Sequence, residues 1–246
     1  MSLRGLQYWA RMKKKAPPTP ERFTGFADRT GRFFKALAKH QEREWFKAHR
    51  EDYDQGWLNP MLALLGEVRQ RVEPLFPREE LAGPKVFRIY RDVRFSKDKS
   101  PYKTHLGGYL ALGGAKAGPS MIALPYVHIG ADGVFAAVGQ YMMDPAQLAD
   151  FRAGVTDDVR GADLAKLLQK LTRAGFTVGS YGQLKRVPRG SDPEHPRADL
   201  LKRKGLVVTF PPVPRELLVS PKLVGWLVTQ TKRTVPLVEW LAAVSL

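Results

Sequence analysis

Val86-Phe87-Arg88-Ile89-Tyr90-Arg91-Asp92-Val93-Arg94-Phe95 is the stretch at which the pattern of the chain changes. Its residues alternate, with Phe87, Ile89, Val93 and Phe95 on one side of an extended chain and Arg88, Tyr90, Asp92 and Arg94 on the other. A two-residue period is that of a strand with one polar face. Arg91 breaks the alternation by landing among the apolar side chains, so it requires a buried anionic partner or a bulge that turns it outward.

Working outward, further strands are expected at 105–112, 122–129 and 134–141, separated by Gly113-Gly114, Gly118-Pro119 and Asp132-Gly133. Connections this short favour an antiparallel meander, and Asp-Gly is a hairpin signal. Upstream the period is helical: Phe33, Phe34 and Leu37 mark a helix over 30–39, and a second begins near Glu42 with Trp45, Phe46, His49 and Tyr53 near one face. A third runs from Pro60 to Val72 with Leu62, Leu65, Val68 and Val72 inward, and Pro74 stops it. Downstream, Asp144-Pro145 has the form of a cap and a first-turn proline, opening a helix with Leu148 and Phe151. Another helix over 162–174 ends at Gly175, a strand follows at 206–210, and one or two helices close the chain from Pro221, with Pro236 kinking or dividing them. The expected class is α+β: a mainly antiparallel sheet, from hairpin-linked strands at about 85–141 and one near 205–210, packed against N-terminal and C-terminal helices. Residues 23–246 read as a single domain, and residues 1–22 as a basic arm that need not be ordered, with a Pro17-Pro18-Thr19-Pro20 spacer.

Composition narrows the function classes. The chain has 246 residues and no cysteine, which excludes disulfides, thiolate nucleophiles and zinc sites that use sulfur. Apolar runs such as Leu62-Ala63-Leu64-Leu65 are far too short to span a membrane, and Lys13-Lys14-Lys15 follows rather than precedes the few apolar residues of the N-terminus, unlike a secretory signal. A cytoplasmic protein with no membrane partner is expected. The formal net charge is +16, and most of the excess lies in three stretches, 1–22, 85–103 and 185–204. Clustered positive charge attracts phosphate, nucleic acid or an acidic partner.

The second of these stretches carries the chemistry. Arg88, Arg91 and Arg94 offer planar forks that match phosphate or carboxylate oxygens, and Lys97, Lys99 and Lys103 supply mobile point charges. Asp92 and Asp98 could orient the arginines or move protons, and Tyr102 or His105 could donate a hydrogen bond to developing charge, which makes these four the candidate catalytic residues. In the third stretch Lys185, Arg186 and Arg189 occupy a loop rich in Pro and Gly, followed by His195. If that loop folds over the first strand, both blocks meet around one pocket as ligand-binding residues. Equally, Arg-Asp neighbours on a polar strand face are common as plain structural ion pairs. No metal site or cofactor is expected: the five histidines lack metalloprotease spacing, and neither a phosphate-binding P-loop nor a dinucleotide-binding glycine motif is present. His128, alone in a strand, reads as a packed residue, and Trp45, Phe46, Tyr53 and Trp57 read as core.

The order Arg88-x-x-Arg91-Asp92-x-Arg94-Phe95, then Asp98-Lys99-x-x-Tyr102, resembles the signature of a bacterial family known as domain of unknown function 2461. Glu44-Trp45-Phe46 with Tyr53, the block Leu184-Lys185-Arg186-x-Pro188-Arg189-Gly190 with His195-Pro196 and Asp199-Leu200-Leu201, and Pro236-Leu237-x-x-Trp240-Leu241 are similar to its other elements, so that the likeness covers about residues 23–245. One departure is His40-Gln41, where relatives carry asparagine before the Trp-Phe pair. The resemblance implies no activity, cofactor or catalytic residue, but it makes the Arg/Lys segment a family feature.

Three functions stay open. The first is an anion-binding protein for a phosphorylated or acidic small molecule, with enzymatic activity neither required nor excluded. The second is a nucleic-acid-binding protein without sequence preference. The third is a structural or interaction protein whose ion-pair network only holds the sheet to its helices.

Overall fold

The computed structural model describes residues 22–94, 97–113 and 120–245. The basic arm up to Glu21, the Phe95 position and the Gly114 to Pro119 turn region lie outside the described residues.

Six strands form one antiparallel sheet: β1 (Lys85–Val86), β2 (His105–Leu112), β3 (Ile122–Gly130), β4 (Gly133–Gln140), β5 (Thr177–Gly179) and β6 (Leu206–Thr209). Their spatial order is β1-β2-β3-β4-β6-β5. Before the sheet come α1 (Arg32–Lys39), α2 (Arg43–Ala48), α3 (Arg50–Tyr53), a π-helical turn (Asp54–Leu58) and α4 (Asn59–Val72). After β4 come α5 (Pro145–Thr156) and α6 (Asp158–Arg173), then α7 (Ala198–Leu201) before β6, and α8 (Lys222–Ser245) closes the fold. This is the α+β arrangement that the alternating and helical periods predict.

Local chemistry explains the boundaries. Asp144 accepts from Gln147 N–H at 2.9 Å while Gln147 Oε1 accepts from Asp144 N–H at 3.1 Å, a reciprocal cap that starts α5. Gly175, at φ 87°, ends the helical stretch begun by α6. α6 itself starts at Asp158, four residues earlier than its apolar period indicates, because the Asp157 carboxylate caps Val159 and Arg160. Pro236 neither ends nor divides α8, which runs unbroken through it.

The sheet is apolar on one face. Leu106, Leu110, Val127, Ile129, Ala136, Val138 and Val208 are buried toward the helices, with α4 against β2 and α8 against β3 and β4. Full burial of a side chain of this size contributes roughly 1.5–3 kcal/mol. On α4 the buried stripe is Met61, Leu64, Leu65, Val68 and Val72, with Leu62 only half-buried. Leu65, Val68 and Val72 are inward as expected; at the start of the helix Met61 rather than Leu62 faces the core, four residues after the buried Trp57 and eight after Tyr53.

The signature strand is the main correction. Only Lys85 and Val86 form ladder pairs with β2, opposite Tyr109 and Gly108. Beyond them the chain is an irregular hairpin: Phe87 N–H bonds Gly107 O, Lys103 N–H bonds Ile89 O, and Arg91 N–H bonds Pro101 O. The Asp92 carboxylate accepts from Arg94 N–H and that of Asp98 from Ser100 N–H, so side chains satisfy backbone donors that a strand would have given to a neighbour. The short strand β5 was also missed, since three residues, the last of them a glycine, carry no legible period.

Gln41 ties the helical layer to this hairpin. Its side-chain oxygen accepts from Tyr102 N–H at 3.1 Å and its amide donates to Leu37 O at 2.6 Å. One glutamine thus joins the two layers through both ends of its amide. Gln41→Ala leaves the Tyr102 N–H unpaired, and a loss of about 1–3 kcal/mol in urea-unfolding stability is expected, with faster hydrogen exchange at the Tyr102 amide.

Candidate functional site

The residues of the signature hairpin do not all converge. Arg91 pairs with Asp98, which also accepts from the Ser100 hydroxyl. Arg94 grips Asp92 with two bonds, Nε to Oδ1 at 3.0 Å and Nη2 to Oδ2 at 2.7 Å. Lys99 donates to Val93 O at 2.9 Å, and Lys97 is exposed. The anion that Arg91 requires is therefore Asp98, seven residues on, and it is exposed rather than buried. These pairs brace the loop. The Arg94 hydrogen bonds hold Asp92 down to about 2, and hydrogen bonds from Ser100, then Arg91, do the same for Asp98, so both carboxylates stay ionised near neutrality. Tyr102 is core: its ring stacks on Phe46 at 4.4 Å.

What the hairpin does bring together is Arg91, Asp92, Lys103, Thr104 and His105, which line a cavity of about 430 Å³ at the start of β2. Lys103 is half-buried, and its ammonium has no hydrogen-bonding or ion-pair partner among the described residues. Its ammonium lies 5.2 Å from the centre of the Phe87 ring. Burial, with the neighbouring Arg88 guanidinium, lowers its pKa. A half-buried cation thus borders a hollow, with the Arg88 charge near enough to disfavour its own.

The second basic block is not part of this group. The segment with Lys185, Arg186, Arg189 and His195 leaves β5 and enters β6 where Gln140 pairs with Leu206, whereas the cavity lies where His105 pairs with Gly130 and Gly130 with Gly133. These are opposite ends of β4, roughly 25 Å apart, and opposite edges of the sheet. Lys185, Arg186 and Arg189 are exposed, and His195 Nδ1 accepts from Arg197 N–H at 3.0 Å within its own turn.

A network that periodicity did not reveal adjoins the cavity. On β3, His128 lies between Tyr126, whose hydroxyl is 3.0 Å from Nδ1, and Asp132, whose Oδ1 is 3.1 Å from Nε2. The His105 ring stacks on His128 at 4.5 Å, and Phe135 covers its other side at 4.5 Å. His128 is thus packed, as a lone strand histidine should be, yet it is also wired. The packing depends on Gly130: a Cβ there would meet His105 Cβ at 2.6 Å and run into the Asp132 carboxylate. The sequence clue was His105 and His128 two positions out of step across a hairpin, legible only once the register was known.

Burial, reinforced by the His128 ring nearby, brings the His105 pKa down to about 4. Burial raises Tyr126 to about 12. Near neutrality the site therefore offers a neutral imidazole, a protonated phenol and two fixed carboxylates, a set suited to binding rather than to proton transfer at that pH.

A larger hollow of about 710 Å³ lies among the N-terminal helices, lined by Phe33, Trp45, His49, Glu51, Asp52 and Trp57 with their neighbours. Its rings stack on each other, Trp45 between His40 at 5.4 Å and His49 at 4.0 Å, and its rim mixes carboxylates with Arg32. Among the described residues no group of three or more His, Asp or Glu side chains is placed to hold a metal ion, and no helix is long and apolar enough to cross a membrane.

The fold and site together describe a basic α+β protein with a cation-lined hollow at one corner of an antiparallel sheet. The chain belongs to the family described as "Conserved hypothetical protein (DUF2461)", whose profile matches residues 29–240. No curated protein matches it.

The acid response of His105 follows from its depressed pKa. An unfolded histidine takes up its proton near 6.5, the folded one only near 4, so the unfolded chain binds the proton first. The stability held by neutral His105 is complete above pH 6.5 and lost as pH falls toward 4. His105→Gln should flatten this part of the stability profile relative to wild type, and the His105 ring resonances should titrate near 4 in proton NMR.

Proposed function

We propose that the protein binds a small phosphate- or carboxylate-bearing ligand in the hollow lined by Arg91, Asp92, Lys103, Thr104 and His105. The observation that carries this reading is Lys103: a half-buried ammonium beside Arg88, with no carboxylate partner among the described residues, next to open space. An anion seated there relieves the repulsion between the two cations. The Arg91 guanidinium bonds Asp98 through Nη1, and its remaining donors complement such a guest. Thr104 supplies a hydroxyl, and neutral His105 supplies a ring N–H. The expectation of a single cluster built from both basic blocks reduces to this corner alone. Reaction chemistry is not part of the proposal.

Pyrophosphate, which combines high charge with small size, is the probe. Occupancy of the folded state at a hundred times its Kd adds about 2.7 kcal/mol, a rise in Tm of roughly 5–10 °C for a chain of this length. Lys103→Met should abolish that rise while leaving the Tm without ligand within a few degrees of wild type. The bound anion should also raise the His105 pKa above its starting value of about 4, visible in the same NMR titration. A Tm rise of equal size in wild type and Lys103→Met would overturn the assignment.

A further inference from the structure

The helices cover only one face of the sheet, and the other carries an unusual set of side chains. Large apolar residues that stay exposed among the described residues are Phe87, Tyr90, Phe135, Tyr141, Val159 and Tyr181. The pairing register places four of these six on the uncovered face. Phe87 bonds to Gly107 and its ring lies over that glycine, whose added Cβ would meet it at 3.1 Å. Phe135 pairs with His128, in phase with Gly107. Tyr141 continues the Phe135, Ala137, Gly139 side of β4, and Tyr181 the Thr177, Gly179 side of β5, which pairs through Thr209 with Ala137. Their exposures are 43% for Phe87, 38% for Phe135, and 54% for both Tyr141 and Tyr181.

The rings fall into two groups. In one, Phe87 contacts Tyr109 at 5.2 Å and Tyr126 at 6.4 Å, and Tyr126 contacts Phe135 at 5.9 Å; in the other, Tyr141 contacts Tyr181 at 4.7 Å. The first group spans β1 to β4 and the second lies by the ends of β4 and β5, so that rings occur from one edge of the sheet to the other, five strand spacings or roughly 24 Å. Between the rings stand the small residues Gly107, Ala111, Ala137, Gly139, Thr177, Gly179 and Thr209, so the floor is low, and the accessible area belongs to the four half-exposed rings above it.

Charge completes the pattern. None of the six strands contains an aspartate or glutamate. Lys85, opposite Tyr109, lies on this face, with Arg88 and Lys103 beside Phe87 at one edge. At the other edge Lys204 bonds through its backbone to Gly182, next to Tyr181. An interface for a folded protein or a lipid surface would be expected to carry aliphatic anchors, and Val207 is the one branched aliphatic residue at the strand positions of this face. Rings flanked by cations, with few groups to read base edges, match the π-faces and phosphates of an unpaired polynucleotide.

We propose that the uncovered sheet face is a stacking platform for single-stranded nucleic acid, with bases on Phe87, Phe135, Tyr141 and Tyr181 and phosphates along Arg88, Lys103 and Lys204. The placement of a phosphate at Lys103 rests on the reading of the hollow given above; the stacking does not.

The test is fluorescence anisotropy of labelled twelve-nucleotide oligo(dT) and oligo(U) with the full chain, at 50 and 200 mM salt. Phe135→Ala and Tyr181→Ala should each weaken binding on the order of tenfold without changing the salt slope. Lys103→Met should weaken it less and lower the log–log slope by about one. Val159→Ser, at an exposed residue of α6, should match wild type. No binding at 50 mM salt, or wild-type affinity in both ring variants, overturns the platform. If pyrophosphate still raises Tm through Lys103 in that case, the hollow stands without the platform. Ring-dependent binding with no Lys103-dependent pyrophosphate effect would leave the platform and remove the hollow.

Discussion

Around the turn from Gly130 to Gly133, β3 folds back on β4 with Ile129 opposite Val134 and His128 opposite Phe135, and that register decides the character of both faces of the sheet. Because side chains alternate strictly along a strand, a slip of one residue would carry His128 and Tyr126 into the helical core and expose Val127 and Ile129. Burying an unpaired histidine and phenol while wetting two aliphatic side chains is costly on both counts, so the register has no close competitor. α4 and α8 then have one apolar surface to cover, and the rings and histidines are left on the other.

The signature hairpin does two kinds of work with one composition. Its arginine–aspartate pairs are local, at sequence separations of two and seven, and they shape a loop that has few backbone bonds to neighbours. Exposed pairs of this type contribute little stability each, so their value lies in holding the loop in one conformation. Among the described residues Lys103, Arg88 and the exposed Lys97 are not held in such pairs, and Lys103 is the half-buried one, standing where the loop rejoins the sheet beside His105. Both pairs lie within the loop and join no strand to a helix, so they are not the network holding the sheet to its helices that was the third function considered from the sequence.

His105 and Lys103 respond to their surroundings in the same direction, since burial and neighbouring charge disfavour the protonated form of each. A corner where burial and neighbouring charge disfavour the protonated form of two basic groups is one where an arriving anion gains more than at an open surface. The Tyr126-His128-Asp132 chain beneath it fixes the side chains on which His105 rests, and Gly130 supplies the space for that arrangement.

Sequence alone determined the α+β class, the meander from 105 to 141, the helices on either side of it and the places where positive charge accumulates, because periodicity, turn residues and capping chemistry are local. It placed Lys103 and His105 in one basic segment with Arg91, Arg94, Asp98 and Tyr102, and could not tell which of the cations has a carboxylate within reach, since that depends on how the loop closes. Only the tertiary structure decided that the 185–195 block leaves from the far end of the sheet, that His128 joins Tyr126 and Asp132, and that four scattered aromatic residues share one uncovered face. Each of these is a matter of register and strand order between segments distant in the chain, and no local pattern encodes it.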